Sequence, residues 1–551
     1  MTTHKTSKLV LLLILVMSMI TLAACSGSNG SNVSGKPEAA SDKGGTVQTG
    51  NKAISIGITN APGSFSTIDV LDQTAIHITS LLFPPLVELN DSMEFVPMLA
   101  DRIETKDNKT FTVKLNEKAK WSDGKPVTAD DLLFTVQMIT HPKSISNIAK
   151  YYAVIEGFDD KGKQAEGANE LTGVKKIDDH TVQFIAKAPL DPVLFKENIG
   201  RKLKPLPKHI LKDADPEKIA QHPFWQKMDV TYGPFNFVSY QKDQYVELQA
   251  NKDYFKGAPK LNKLFFKIMP AANIVAQLQS GEIQMNFPGV GTISIQDFEK
   301  VKNMSNLRTI QGKPLNYQQM TFNSKTLPDA RVRQAIAYAI NRDMMVNDLL
   351  KGEGEVIDMP YTSIHPYYNK SLKPYKYDPK KAQQLLQEAG WDFNKTLNLV
   401  VPSGVKTREQ SADIIVENLK AIGVKAQVTK YDLVTVGQKA SKGEFDIFFL
   451  GYPFSLDPDV SNYFLSSVTG GNYGGYNNPK MDELLKEGIK ETDPAKRIAI
   501  YNKVQELIAQ DMPQLTLYAD YRLGAVSKKV KVGEPKDVGM LINVNEWDIE
   551  N

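Results

Sequence analysis

LNLVVPSGVKTREQSADIIVENLKAIGVKAQVTKYDLVTVGQKASKGEFDIFFLGYPFSLDPD, residues 397–459, is the stretch whose reading decides the fold. LNLVV (397–401) is an apolar run of strand length, and residues 408–421 follow as a helix closed near Gly423. VKAQVT (424–429) is a second strand, 432–442 a second helical segment punctuated by Gly443, and FDIFFL (445–450) a third strand. Strand–helix–strand–helix–strand predicts an α/β layer on a largely parallel sheet. Ligands of such sheets gather outside the carboxyl ends of strands, so GYPFSLDPD (451–459) is a candidate site on topology alone.

Working outward, Asp493-Pro494 opens a long helix with Ile498, Tyr501, Val504 and Ile508 on one stripe, and Pro513 ends it. QLTLYA (514–519) is then a strand, and the residues after it are too few for a domain, so they return to complete an earlier one. Upstream, Asp329 caps a helix with Val332, Ala335, Ile336, Ala339 and Ile340 inward and Arg331 and Arg333 outward. Asp378-Pro379 opens KKAQQLLQEA, and Gly390 stops it. The first half alternates strands with short helices. AISIGIT (53–59), TFTVKL (110–115), TVQFIA (181–186), QYVELQA (244–250) and KLFFKIM (263–269) are strands, and Thr128 caps the helix LLFTVQMI. No internal repeat of 20–50 residues is present, which excludes solenoids and propellers.

At the other end, a basic start (His4, Lys5, Lys8) precedes the apolar run Leu9–Ala24 and then Cys25, the one cysteine of the chain. The run is shorter than the ~20 residues a membrane-spanning helix needs and has the proportions of a secretory signal. Leu22-Ala23-Ala24-Cys25 resembles a bacterial lipobox, which makes Cys25 the acylated first residue of a lipoprotein. Residues 26–51, rich in Gly, Ser and Asn, read as a flexible tether. Loss of residues 1–24 removes Lys5 and Lys8 and lowers the net charge from +3 to +1. Such a near-neutral surface argues against nucleic acid as a partner. With 41% hydrophobic and 23% charged residues the chain is globular, and a body of roughly 500 residues needs at least two domains.

The sequence offers no catalytic motif. His4, His77, His141, His180, His209, His222 and His365 are scattered without H-E-x-x-H or a Cys/His cluster. There is no G-x-S-x-G elbow and no P-loop. A carboxylate pair of the glycosidase kind needs no linear motif, so an extracellular hydrolase stays open, but the pattern favours binding.

Several blocks, in one order, resemble the large solute-binding proteins of peptide and nickel ABC transporters, family 5. They are WSDGKPVTADDLLFTVQMI (121–139), the block 231–283 from TYGPFNF to QSGEI, FNSKTLPDARVRQAIAYAINRDMM (322–345), YKYDPKKAQQLLQEAGW (375–391), GEFDIFFLGYPFSLDPD (443–459) and the block 476–518. LPKHIL (206–211) is similar to oligopeptide-binding lipoproteins of Gram-positive bacteria. The resemblance implies a two-lobed, periplasmic-binding-protein-like (type II) α/β fold with an extra subdomain inserted in the first lobe. On this chain lobe I takes 52–318, with the insertion at about 86–232, lobe II takes 319–517, and 518–551 return to lobe I.

It also implies function: an extracytoplasmic receptor, not an enzyme, monomeric and lipid-anchored to the outer face of the cell membrane. Such a receptor passes an oligopeptide to the permease of an ABC transporter and uses no metal and no cofactor. Ligand contacts are expected at Asn60, Pro62 and Phe65 of the first loop, at Tyr317, and at Tyr452, Phe454, Ser455, Asp457, Tyr473 and Tyr476. Short-peptide members carry an Asp that pairs with the ligand's ammonium and an Arg near its carboxylate. Here those positions hold Ser455 and Phe449, Tyr452 replaces a Trp, and Ala61 stands where many relatives have Glu. Burying an unpaired charge costs several kcal/mol, about enough to exclude di- and tripeptides. A longer peptide or a neutral oligosaccharide escapes that cost, and Asp457 or Asp459 is an alternative amine partner. A nickel-complex receptor would call on His365. Trp121, Trp391, Met344-Met345 and Lys528-Lys529 read as structural or solvated positions. Trp225 and Trp547 remain open as aromatic platforms.

Overall fold

The structure, a computed structural model, describes residues 52–550 apart from Val70, Leu71, Asn169 and Thr469. The signal segment, Cys25 and the tether lie outside the described residues.

Ala53–Ile58 sets the first sheet: Ile54, Ile56 and Ile58 are each 0% exposed, as alternation along a pleat requires. This sheet has seven strands, in the order Leu307–Gln311, Leu523–Ser527, Met285–Asn286, Ala53–Ile58, Lys263–Ile268, Tyr245–Ala250 and Phe235–Gln241. A four-stranded antiparallel sheet, Ala100–Thr105, Thr110–Leu115, Thr181–Ile185 and Val174–Asp178, lies between its first strand and its hairpin in sequence. The third sheet runs Gly354–Glu355, Gln514–Asp520, Asn316–Phe322, Ile447–Pro453, Thr396–Pro402 and Lys425–Tyr431.

Thr396–Pro402 is parallel to both neighbours, with the helices Lys406–Ala421 and Leu433–Lys442 between the strands in sequence. Beyond Ile447–Pro453 every pairing is antiparallel, so the sheet is mixed rather than largely parallel. The cause is connectivity. Asn316–Phe322 arrives from the seven-stranded sheet and Gln514–Asp520 leads back into it, so the two lie side by side and run in opposite directions. Two adjacent chain crossings are a geometry in which closure needs only a few dihedrals to change.

Two side chains depart from the amphipathic reading. Arg333 is 5% exposed and turned inward, donating from Nε to the carbonyls of Asp511 and Met512 and from Nη1 to that of Leu327. It satisfies orphan carbonyls at the end of the helix Pro494–Asp511. On that helix Ile498 is 38% exposed, and the buried stripe instead contains Arg497, Ile500, Tyr501, Val504 and Ile508.

Candidate ligand site

The strand Ile447–Pro453 delivers its carboxyl end to the region where the two larger sheets approach each other. Tyr452 and Tyr317 face each other in register and stack at 5.7 Å, and Tyr463 meets Tyr452 edge-on at 5.1 Å. Tyr473 sits half-buried against Phe448 at 5.9 Å. Arg408 lies close over Gly451, where a Cβ would stand 2.8 Å from its Nη2. Arg408 donates from Nε to Gln318 at 2.8 Å and brings a half-buried cation against the site strand. Phe449, by contrast, is 0% exposed in the core of the third sheet.

Past Pro453 the chain turns through a tightly held loop. Phe454 donates its N–H to Leu315 O, and Ser455 is exposed while its carbonyl accepts from Nε2 of His365 at 3.0 Å. His365 also accepts the Tyr367 N–H at Nδ1, so both ring nitrogens are used, and burial pushes its pKa down to about 4. Asp457 is buried and accepts from Arg497 Nη2 at 2.8 Å, and Arg497 Nη1 lies 3.3 Å from Asp191. Asp459 accepts the Ser461 N–H at 2.9 Å.

A cavity of about 390 Å³ opens directly beyond this loop. One wall is Leu315, Asn316, Pro453 and Phe454; the other comes from Ile76 and His77, Phe287, Arg201 with Glu88, and the segment Asp537–Ile542 with Arg522. His77 stacks on Phe287 at 4.3 Å, and burial with nearby Lys204 holds its pKa near 3, so it lines the cavity uncharged. Arg201 is fully engaged, with Nε on Glu88 at 2.6 Å and Nη1 on Glu197 at 2.9 Å.

Of the expected contact residues, Phe454 lines this cavity, and Tyr317, Tyr452 and Ser455 adjoin lining residues in sequence. Asn60 is exposed on its loop, Pro62 O accepts from Tyr240, and Phe65 is buried against Phe237 and Tyr240. Tyr476 is 5% exposed, packs on Phe464 and donates its hydroxyl to Asp511 at 2.6 Å. Asp511 also receives Asn478, which fixes the Gly/Asn loop from within. His77, Arg201, Arg522 and Asp537 carry no linear motif; only their place beside one another in the wall marks them.

The tryptophans are used elsewhere. Trp121, Trp225 and Trp547 are buried in the first core, and Trp391 packs half-buried on the second with Lys395 over its ring at 5.6 Å. Among the described residues no group of three or more His, Cys, Asp or Glu is placed to hold a metal, and no helix is long and apolar enough to cross a membrane.

Two sheets joined by paired strands, with a cavity at their meeting, define a two-lobed solute-binding protein. The chain belongs to the bacterial extracellular solute-binding proteins of family 5, whose middle region matches residues 94–475. It is 30% identical to the oligopeptide-binding protein AppA of Bacillus subtilis, over 99% of each chain. The structure of that AppA in complex with a nonapeptide aligns with a TM-score of 0.75 at 27% identity, covering 91% of this chain and 99% of the other. The ABC transporter substrate-binding protein CtaP of Listeria monocytogenes aligns with a TM-score of 0.79 at 28% identity, over 91% and 99%.

Proposed function

We propose that this protein is a monomeric, lipid-anchored receptor that captures oligopeptides longer than tripeptides between its lobes and delivers them to an ABC permease. Membership of family 5 and the likeness to an oligopeptide-binding protein support the class of ligand. The observation that carries the length preference is the fate of the acids beside the site strand. Position 455 is a serine, Asp457 is committed to Arg497, and Asp459 to a backbone N–H. A short peptide's ammonium placed there would be buried without a partner, at a cost of several kcal/mol, about enough to forbid it. A longer peptide can be gripped through its backbone along the site strand while its ends lie elsewhere. Three of the four indole rings are buried and Trp391 packs half-buried under Lys395, which leaves a sugar without the broad platforms it would stack on. Cys25 in its lipobox-like setting, with the tether behind it, supports anchoring at the outer face of the membrane.

Native mass spectrometry of protein purified without denaturation tests the reading. Retained ligands should form a ladder of peptides longer than about four residues. A single sugar mass, a nickel complex, or turnover of peptide or glycoside would overturn it.

A further inference from the structure

The cavity wall supplied by the C-terminal segment holds a carboxylate oxygen that the fold leaves unsatisfied. The Asp537 side chain is 3% exposed and lines the cavity. Its Oδ2 accepts the Lys313 N–H at 3.1 Å and packs so closely on Gly312 that a Cβ there would sit 1.9 Å away. The carboxylate is therefore fixed in place. Among the described residues, Oδ1 meets no hydrogen-bond donor, and the one cation within 4.0 Å, Arg522 Nη1, stands at 3.9 Å, outside hydrogen-bond reach. A buried acceptor left without a donor is costly, and where it faces a cavity it marks a place for one.

The rest of the wall narrows what that donor is. Glu88, the other acid, is paired with Arg201 at 2.6 Å, a cation it shares with Glu197. His77 is neutral, and Phe287, Phe454, Leu315, Met540 and Ile542 are apolar. The site thus offers one unsatisfied carboxylate oxygen in a wall where apolar side chains are interspersed with Gln73, Ser80 and Asn316. The chamber opens just past Phe454, at the end of the strand that would grip a peptide backbone, and has room for an end of a chain rather than a whole oligopeptide.

We propose that Asp537 receives the α-ammonium of the bound peptide, with the first side chain, an apolar one, in the chamber between Phe287 and Phe454. This assignment rests on the oligopeptide reading above and adds the register in which the ligand lies. Asp537 then takes the role that Ser455 cannot fill, from the other lobe and farther along the cleft. Burial raises the Asp537 pKa, and the Arg522 guanidinium 3.9 Å away opposes that rise.

The test uses full-length protein, stripped of ligand, and the nonapeptide Leu-Ser-Ala-Thr-Gly-Ser-Ala-Thr-Gly with a free or an acetylated amino end. Calorimetry should show the free form binding about tenfold or more tighter, with Asp537→Asn removing most of that difference and leaving the acetylated form little changed. Carbodiimide coupling in the unmutated protein should join the peptide amine to Asp537, read by mass spectrometry, and needs no variant to fold. Equal binding of both forms, a gap that survives in Asp537→Asn, or coupling to another acid would overturn the subsite while leaving the oligopeptide reading intact. Binding of neither form, with no peptide retained on purification, would overturn both.

Discussion

Arg497 lies wholly buried between two carboxylates, its Nη2 2.8 Å from Asp457 and its Nη1 3.3 Å from Asp191. Asp457 follows the site strand, whereas Asp191 precedes the short helix Pro192–Phe195 beyond the four-stranded sheet. Arg497 Cζ also lies 5.7 and 5.5 Å from the rings of Tyr367 and Tyr501, and its Nε donates to Gly488 O. One guanidinium thus ties the site loop to a distant part of the chain.

Removing that guanidinium strands two buried acids. Arg497→Met should cost about 3–5 kcal/mol in unfolding free energy, read from urea titrations. Asp191→Asn leaves the Asp457 pair in place and should cost about 1 kcal/mol. Equal losses for the two variants would mean that the Asp457 pair adds nothing.

His365 makes the site loop acid-sensitive. Its pKa is lowered from 6.5 in the unfolded chain to about 4 by burial, so the folded state binds the proton more weakly. Its contribution is therefore fully present above pH 6.5 and is lost as pH falls towards 4, to a limit of about 3 kcal/mol. His77, lowered to about 3, acts in the same direction. Stability measured between pH 7 and 4 should decline less steeply in His365→Gln than in the parent protein. An unchanged slope would assign the titration elsewhere.

Ser455 is exposed, and the family resemblance leads to the expectation that short-peptide relatives carry an acid at this position. Ser455→Asp should raise affinity for di- and tripeptides about tenfold in calorimetry, since an added charge partner removes a desolvation penalty. No gain would mean that this position does not face the ligand's amine.

Cys25→Ser should abolish incorporation of labelled palmitate and shift the protein from the detergent phase to the aqueous phase on temperature-induced phase partition. Stable anchoring takes two or more acyl signals, so a single deletion at the attachment residue suffices to release the chain. Retention in the detergent phase would refute the lipid anchor.

Local chemistry made the elements readable. Asp329, Asp378 and Asp493 cap their helices through side-chain acceptance, and the strands at 110–115 and 514–520 lie where alternation and apolar runs place them. Inward-facing charges were not readable, because Arg333 and Arg497 find partners that only the tertiary fold supplies. Tyr476 resembles a loop aromatic in sequence, yet its hydroxyl is claimed by Asp511. The cavity was hidden for the same reason. Its acid and its cations come from segments far apart in the chain, and nothing in the spacing of His77, Arg201, Arg522 and Asp537 ties them together.

Leu523–Ser527 is an interior strand, inserted between Leu307–Gln311 and Met285–Asn286. The lobe that begins at Ala53 therefore cannot close its sheet until synthesis has passed residue 527. A nascent chain holds its first lobe incomplete for nearly the whole of translation, and a chain cut short before that strand has no site wall from Arg522 or Asp537. Such late completion makes binding a report that the whole chain has been made.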